Sequence, residues 1–71
     1  MHKVLSDVTG TVWKLETQVG QTVAEGDTLL IVESMKMEIP VTADASGTVS
    51  RFLVAEKAPV SEGQLVAVLT A

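Results

Sequence analysis

The chain has 71 residues, 46% hydrophobic but only 3% aromatic, with five Lys or Arg against nine Asp or Glu for a net charge of −4. A chain this short is one small domain, 1–71, whose aliphatic core hides only about 60% of the unfolded surface. It has no cysteine, and His2 is its one histidine, which excludes disulfides, thiolate chemistry, cysteine–zinc sites and iron–sulfur clusters. The acidic balance argues against nucleic acid or an anionic membrane as partner. The longest apolar run, Leu29 to Val32, is far too short to span a bilayer, and the N-terminus lacks the apolar stretch of a signal peptide. A soluble, cytoplasmic domain is the expectation.

Short runs of Val, Leu and Ile alternate with Gly, Asp, Ser and Pro, a pattern that favours strands because β-branched side chains fit a pleated surface. In chain order the predicted strands are Lys3–Ser6, Gly10–Thr17, Thr28–Glu33, Met37–Thr42, Gly47–Val54 and Gln64–Thr70. Val23 and Val60 are assigned to shorter pairings. Turn signals fall at Val19-Gly20-Gln21, Glu25-Gly26-Asp27, Ala43–Gly47 and Glu62-Gly63-Gln64. Asp7, Asp27 and Asp44 read as turn or capping residues, and Trp13 as a partly exposed packing residue. No ten-residue stretch sustains a helical period, so the class is all-β.

The chain repeats itself. A shift of 37 positions lays Gly10-Thr11-Val12 on Gly47-Thr48-Val49, Lys14 on Arg51, Leu15 on Phe52 and Val23 on Val60. It also lays Glu25-Gly26 on Glu62-Gly63, and Leu29–Val32 on Val66–Leu69. Turn residues and apolar residues agree in one register, which predicts two equivalent halves closing on each other as a pseudo-twofold pair of sheets. In both halves an apolar pair three residues apart, Val12/Leu15 and Val49/Phe52, breaks strand alternation. A bulge or bend near Trp13-Lys14 and another near Ser50-Arg51 are the reading, the alternative being that one residue of each pair is simply half exposed.

Between the halves lies Glu33-Ser34-Met35-Lys36-Met37-Glu38-Ile39-Pro40. Strands on both sides call for a tight hairpin with Lys36 at or beside its tip. Such turns prefer Asn-Gly or Asp-Gly, yet this one carries Met and Lys while glycine serves the other turns, so a side chain is being kept for another purpose. A Schiff-base or general-base lysine needs burial or a cationic neighbour, and a hairpin tip beside Glu33 and Glu38 supplies neither. Acylation by another enzyme needs access and a recognisable frame. Met35 and Met37 suit a frame on which a partner packs; by pattern alone they suit the core or a barrel cap equally well.

The segment Glu33–Glu38, centred on Met-Lys-Met, resembles the attachment motif of the biotinyl domains of biotin-dependent carboxylases, and the two flanking repeats resemble the halves of the biotinyl/lipoyl domain. The resemblance implies a flattened barrel or sandwich of two four-stranded antiparallel sheets, with the termini at the end opposite the hairpin. It implies covalent biotin on Lys36, recognised through Glu33, Ser34, Met35, Met37 and Glu38; the family more often has Ala in place of Ser34. No room exists for the protruding thumb loop of some bacterial biotin carriers. Lys57 stands where Gly20 stands in the first half, followed by Ala58-Pro59, so that turn is expected to have a different backbone.

By the same resemblance the chain is a monomeric carrier without catalytic residues. A biotin protein ligase loads it, and a biotin carboxylase and a carboxyltransferase use it, commonly with an acyl-CoA as acceptor. A short tether makes each delivery effectively intramolecular. Two alternatives stand beside this reading. One is a lipoyl or dual biotin/lipoyl acceptor, although lipoyl motifs usually place Asp before and Ala after the lysine. The other is an unmodified β-barrel interaction module in which Lys36 is only a surface charge.

Overall fold

The structure, a computed structural model, describes all 71 residues. It contains eight strands and no helix: β1 (His2–Leu5), β2 (Gly10–Leu15), β3 (Thr22–Val23), β4 (Thr28–Ser34), β5 (Met37–Thr42), β6 (Gly47–Phe52), β7 (Pro59–Val60) and β8 (Leu65–Thr70). They form two four-stranded antiparallel sheets, ordered β1-β8-β6-β3 and β5-β4-β2-β7. Shifting by 37 residues turns β1, β2, β3 and β4 into β5, β6, β7 and β8, so each sheet maps onto the other. The pair of equivalent sheets expected from the repeat, and the all-β sandwich of two four-stranded antiparallel sheets that the resemblance implies, are the observed architecture.

The symmetry extends to individual hydrogen bonds. Gly26 N–H donates to Ala43 O at 2.7 Å, and its repeat mate Gly63 N–H donates to Ser6 O at 2.6 Å. Asp27 Oδ2 accepts from Ala24 N–H at 2.9 Å, as expected of a turn residue. In the second half Gln64 Oε1 does the same for Ser61 N–H at 2.9 Å. An amide thus replaces a carboxylate, because only the acceptor oxygen is needed.

Bulges appear where the broken alternation placed them. Register shifts between Val12 and Lys14 against β4, and between Val49 and Arg51 against β8, leaving Trp13 and Ser50 unpaired. The structure adds a second symmetric pair that the pattern did not announce: Leu29 in β4 and Val66 in β8 are also skipped. These two bulges let consecutive residues bury. Leu29, Leu30, Val66 and Ala67 all have zero exposure, whereas a regular strand would turn every second one to water. Each fully buried Leu or Val is worth about 2 kcal/mol, so the bulges add aliphatic core that a chain with one Phe and one Trp otherwise lacks. The core is Val, Leu and Ala throughout, drawn from both sheets.

One expectation is corrected. The Lys57 turn has the same backbone as the Gly20 turn. Gly20 has φ +92° and Lys57 φ +73°. Gln21 N–H donates to Gln18 O at 3.0 Å, and Ala58 N–H to Ala55 O at 3.1 Å. Gly20 N–H reaches Val49 O and Lys57 N–H reaches Val12 O, both at 2.7 Å. Pairing with the neighbouring strand dictates the turn and overrides residue preference. Pro59 restricts Ala58 to extended backbone, which the turn already requires, and sits in edge strand β7 beside Thr11, where a proline is tolerated. Lys57 therefore holds left-handed backbone at a cost of order 1–3 kcal/mol. Lys57→Gly is expected to stabilise the chain by about 1 kcal/mol after glycine's own entropy cost, raising Tm by about 5 °C in thermal unfolding. An unchanged or lower Tm would contradict the strain assigned to this residue.

Candidate functional site

Beyond the Leu29 bulge, β4 and β5 pair in register from Leu30↔Val41 to Ser34↔Met37, so only Met35 and Lys36 remain to make the turn. Both have positive φ, +53° and +65°, the type I′ geometry whose twist matches the flanking strands. Asn-Gly would occupy it with little strain, whereas Met and Lys carry a cost of order 1 kcal/mol or more each. The turn holds because the strands below it are anchored. Leu30, Val32 and Val41 lie in the core with at most 4% exposure, and Ile39 is half-buried.

Above that anchor everything but Ser34 is in water. Glu33, Met35, Lys36, Met37 and Glu38 are exposed, and Ser34 is half-buried. Met35 is 92% exposed and Met37 61%, which decides against placing either in the core or as a barrel cap. Strand alternation sends Glu33 and Glu38 to the outer side of the sheet and Ser34 and Met37 to the other. Glu33 pairs directly with Glu38, a like-charge pairing that works against the ladder. The Lys36 ammonium makes neither a hydrogen bond nor an ion pair with the protein; the lysine ion pair present is Lys14–Glu16.

The hairpin occupies one end of a molecule measuring 33 × 17 × 17 Å. His2 Nε2 contacts the Asp44 carboxylate just beyond the far end of β5, so the N-terminus lies a full strand length from the turn. His2 pairs with Leu69, which places the C-terminus there too. Nothing from the chain's own ends crowds the turn.

The other candidates do not converge on chemistry. Asp44 binds His2 and Asp27 caps its own turn. Trp13, the bulged residue of β2, is 52% exposed. No group of three His, Asp or Glu side chains is arranged to hold a metal ion. A shallow cleft of about 220 Å³ lies between edge strands β1 and β5, lined chiefly by the repeat mates Val4/Val41 and Asp7/Asp44. Its walls come from distant parts of the sequence, so only the internal repeat hints at it. A primary amine with no buried acid or base beside it is not equipped for catalysis by itself. On a two-residue turn at the tip of a rigid sandwich it is equipped to be acylated and to carry what it receives.

Comparison with known proteins agrees with this geometry. The Biotin_lipoyl family model, described as "Biotin-requiring enzyme", matches residues 3–69. The "Biotin/lipoyl attachment protein" of Bacillus subtilis is 40% identical over 57 residues, 80% of this chain and 78% of that protein. The "Biotinylated protein TB7.3 homolog" of Mycobacterium leprae is 36% identical over 67 residues, 94% of each chain. Among solved structures, the crystal structure of the Kluyveromyces lactis urea carboxylase superposes with a TM-score of 0.93 at 39% identity, covering 97% of this chain but 6% of the carboxylase. This chain belongs to the biotin/lipoyl domain family.

Proposed function

We propose that the chain is a biotin carboxyl carrier, with biotin joined by an amide to Lys36 Nζ. The observation that carries this reading is the Lys36 amine itself, exposed and unpaired on a two-residue turn between exposed methionines, in a member of this family. The chain is a carrier and not a catalyst, in keeping with relatives named as carriers or as carboxylases of which it matches only a small segment. When attached, biotin supplies a ureido nitrogen able to hold a carboxyl group.

This chain's residues supply position. The strands below the turn keep the Lys36 stem pointing away from the sandwich, and the length of the molecule separates it from whatever adjoins the termini. Tethering of this kind raises local concentration toward the millimolar range for short linkers. Met35 and Met37 offer apolar, adaptable contacts to a biotin protein ligase, and Glu33, Ser34 and Glu38 complete the frame. A biotin carboxylase and a carboxyltransferase are the partners this reading requires, with an acyl-CoA as final acceptor, in the cytoplasm. The molecule has no helix long and apolar enough to cross a membrane.

Intact-mass measurement after incubation with a biotin ligase, biotin and ATP tests the reading. One biotinyl group, mapped to Lys36, is the expected result; no mass gain overturns it. A parallel incubation with a lipoate ligase tests dual acceptance, the reading that the name of the Bacillus subtilis relative favours. Met37→Ala separates recognition from packing. Because Met37 is exposed, the change is expected to cost under about 0.5 kcal/mol of stability while slowing loading at least about fivefold, about 1 kcal/mol. Chemical denaturation and a loading time course measure the two effects, and marked unfolding with unimpaired loading would reverse the assignment.

A further inference from the structure

Three methionines are present, and all are outside the core. Met1 is 90% exposed, Met35 92% and Met37 61%. The core is built from Val, Leu and Ala alone. In a typical small protein, oxidation of a packed methionine opens the core. Here the same chemistry would leave the sandwich untouched and change only the surface on either side of Lys36. We propose that Met35 and Met37 are a modification site for peroxide, whose oxidation to methionine sulfoxide blocks loading of Lys36 without unfolding the chain. This rests on the reading of Lys36 as the biotin acceptor.

The step balances with hydrogen peroxide as the oxidant. A thioether sulfur lone pair attacks one peroxide oxygen, an S–O bond forms and the O–O bond breaks. The second oxygen leaves as water with both hydrogens, so sulfur is oxidised by two electrons and peroxide reduced by two. Both residues are exposed, Met35 at 92% and Met37 at 61%, so the fold need not open before attack. The product side chain is polar and chiral where the frame offered a soft apolar surface. With the Glu33/Glu38 pair beside it, the Met35-Lys36 turn itself then presents no apolar side chain beyond the Lys36 stem. Methionine sulfoxide reductases, one for each sulfoxide epimer, reverse the change with a dithiol as reductant. The dithiol becomes a disulfide, the S–O bond breaks and the oxygen leaves as water, which makes the site a switch and not only a lesion.

Met1 supplies the control within the same molecule. It is as exposed as Met35 but lies at the opposite end, beside the His2–Asp44 contact. The wild-type chain is oxidised partially with hydrogen peroxide, then loaded to about half completion with a biotin ligase. Loaded and unloaded fractions are separated on avidin and peptide-mapped. We expect sulfoxide at Met35 and Met37 to be depleted at least about fivefold in the loaded fraction, with Met1 sulfoxide equal in both. Circular dichroism of the oxidised pool should retain the native spectrum and cooperative melting. Treatment with both methionine sulfoxide reductases, one for each epimer, and a dithiol should restore loading of the unloaded fraction. Equal sulfoxide at Met35 and Met37 in the two fractions overturns the switch while leaving the carrier reading intact. Failure of unoxidised chain to load at all removes both together.

Discussion

Lys36→Arg is expected to fold as the parent chain does and to gain no biotin in the presence of ligase, biotin and ATP. The side chain is exposed and unpaired, so its replacement falls among surface changes of within about 0.5 kcal/mol. Both residues place the same demand on the left-handed backbone at this position, so the turn's strain is unaltered. The chemistry differs completely. A guanidinium stays protonated and delocalised under any usable condition and offers no amine to attack an activated carboxyl. Lys3, Lys14, Lys57 and the N-terminal amine all remain, so the variant also asks whether position matters or only the presence of an amine. Intact mass and thermal melting answer together. A folded variant that still takes up one biotinyl group would end the assignment of Lys36, and an unfolded one would show that the residue is structural.

Gly10→Ala is expected to lower Tm far more than its repeat mate Gly47→Ala. A methyl group on Gly10 would land on the Glu33 carbonyl oxygen and stand 2.9 Å from Val32 Cγ1. Both neighbours belong to β4 just below the Met35-Lys36 turn, where the hairpin register holds them. At Gly47 the methyl group meets the Thr70 carbonyl oxygen at the longer distance of 2.7 Å, and Thr70 is paired on one side only, with Thr48, whereas Glu33 is paired on both, with Thr11 and Glu38. We expect a cost of about 3 kcal/mol at Gly10 and about 1 kcal/mol at Gly47. At 4–8 °C per kcal/mol for a domain this size, these are Tm losses of about 15 °C and about 5 °C. Equal losses at the two positions would mean that the hairpin strand is no more firmly held than the C-terminal one.

Most of the architecture was legible in the sequence because the repeat constrains it twice over. A single alternating stretch is ambiguous, but two in one register, with Gly26 matched to Gly63 and Val12 to Val49, leave few arrangements other than paired equivalent sheets. The Trp13 and Ser50 bulges were legible for the same reason, since each breaks alternation at the same offset. The Leu29 and Val66 bulges were not. A bulge between consecutive apolar residues leaves no break in the pattern, and only a sheet partner reveals the skipped residue.

The Lys57 turn misled the sequence reading because residue preference describes the turn in isolation. Two backbone hydrogen bonds to Val12 hold Lys57-Ala58 in the shape that Gly20-Gln21 adopts against Val49, and that pairing outweighs the cost of one unfavourable φ. The methionines beside Lys36 show the converse. Spacing and hydrophobicity alone left Met35 and Met37 equally suited to core or surface, because whether a hairpin end lies over the core or beyond it depends on where the facing sheet stops. Composition and repeat thus determined an all-β chain with a lysine-bearing hairpin at its midpoint. Only the packing of the two sheets decided that this lysine and both its neighbours stand in water, since burial is set by contacts between residues that no local pattern connects.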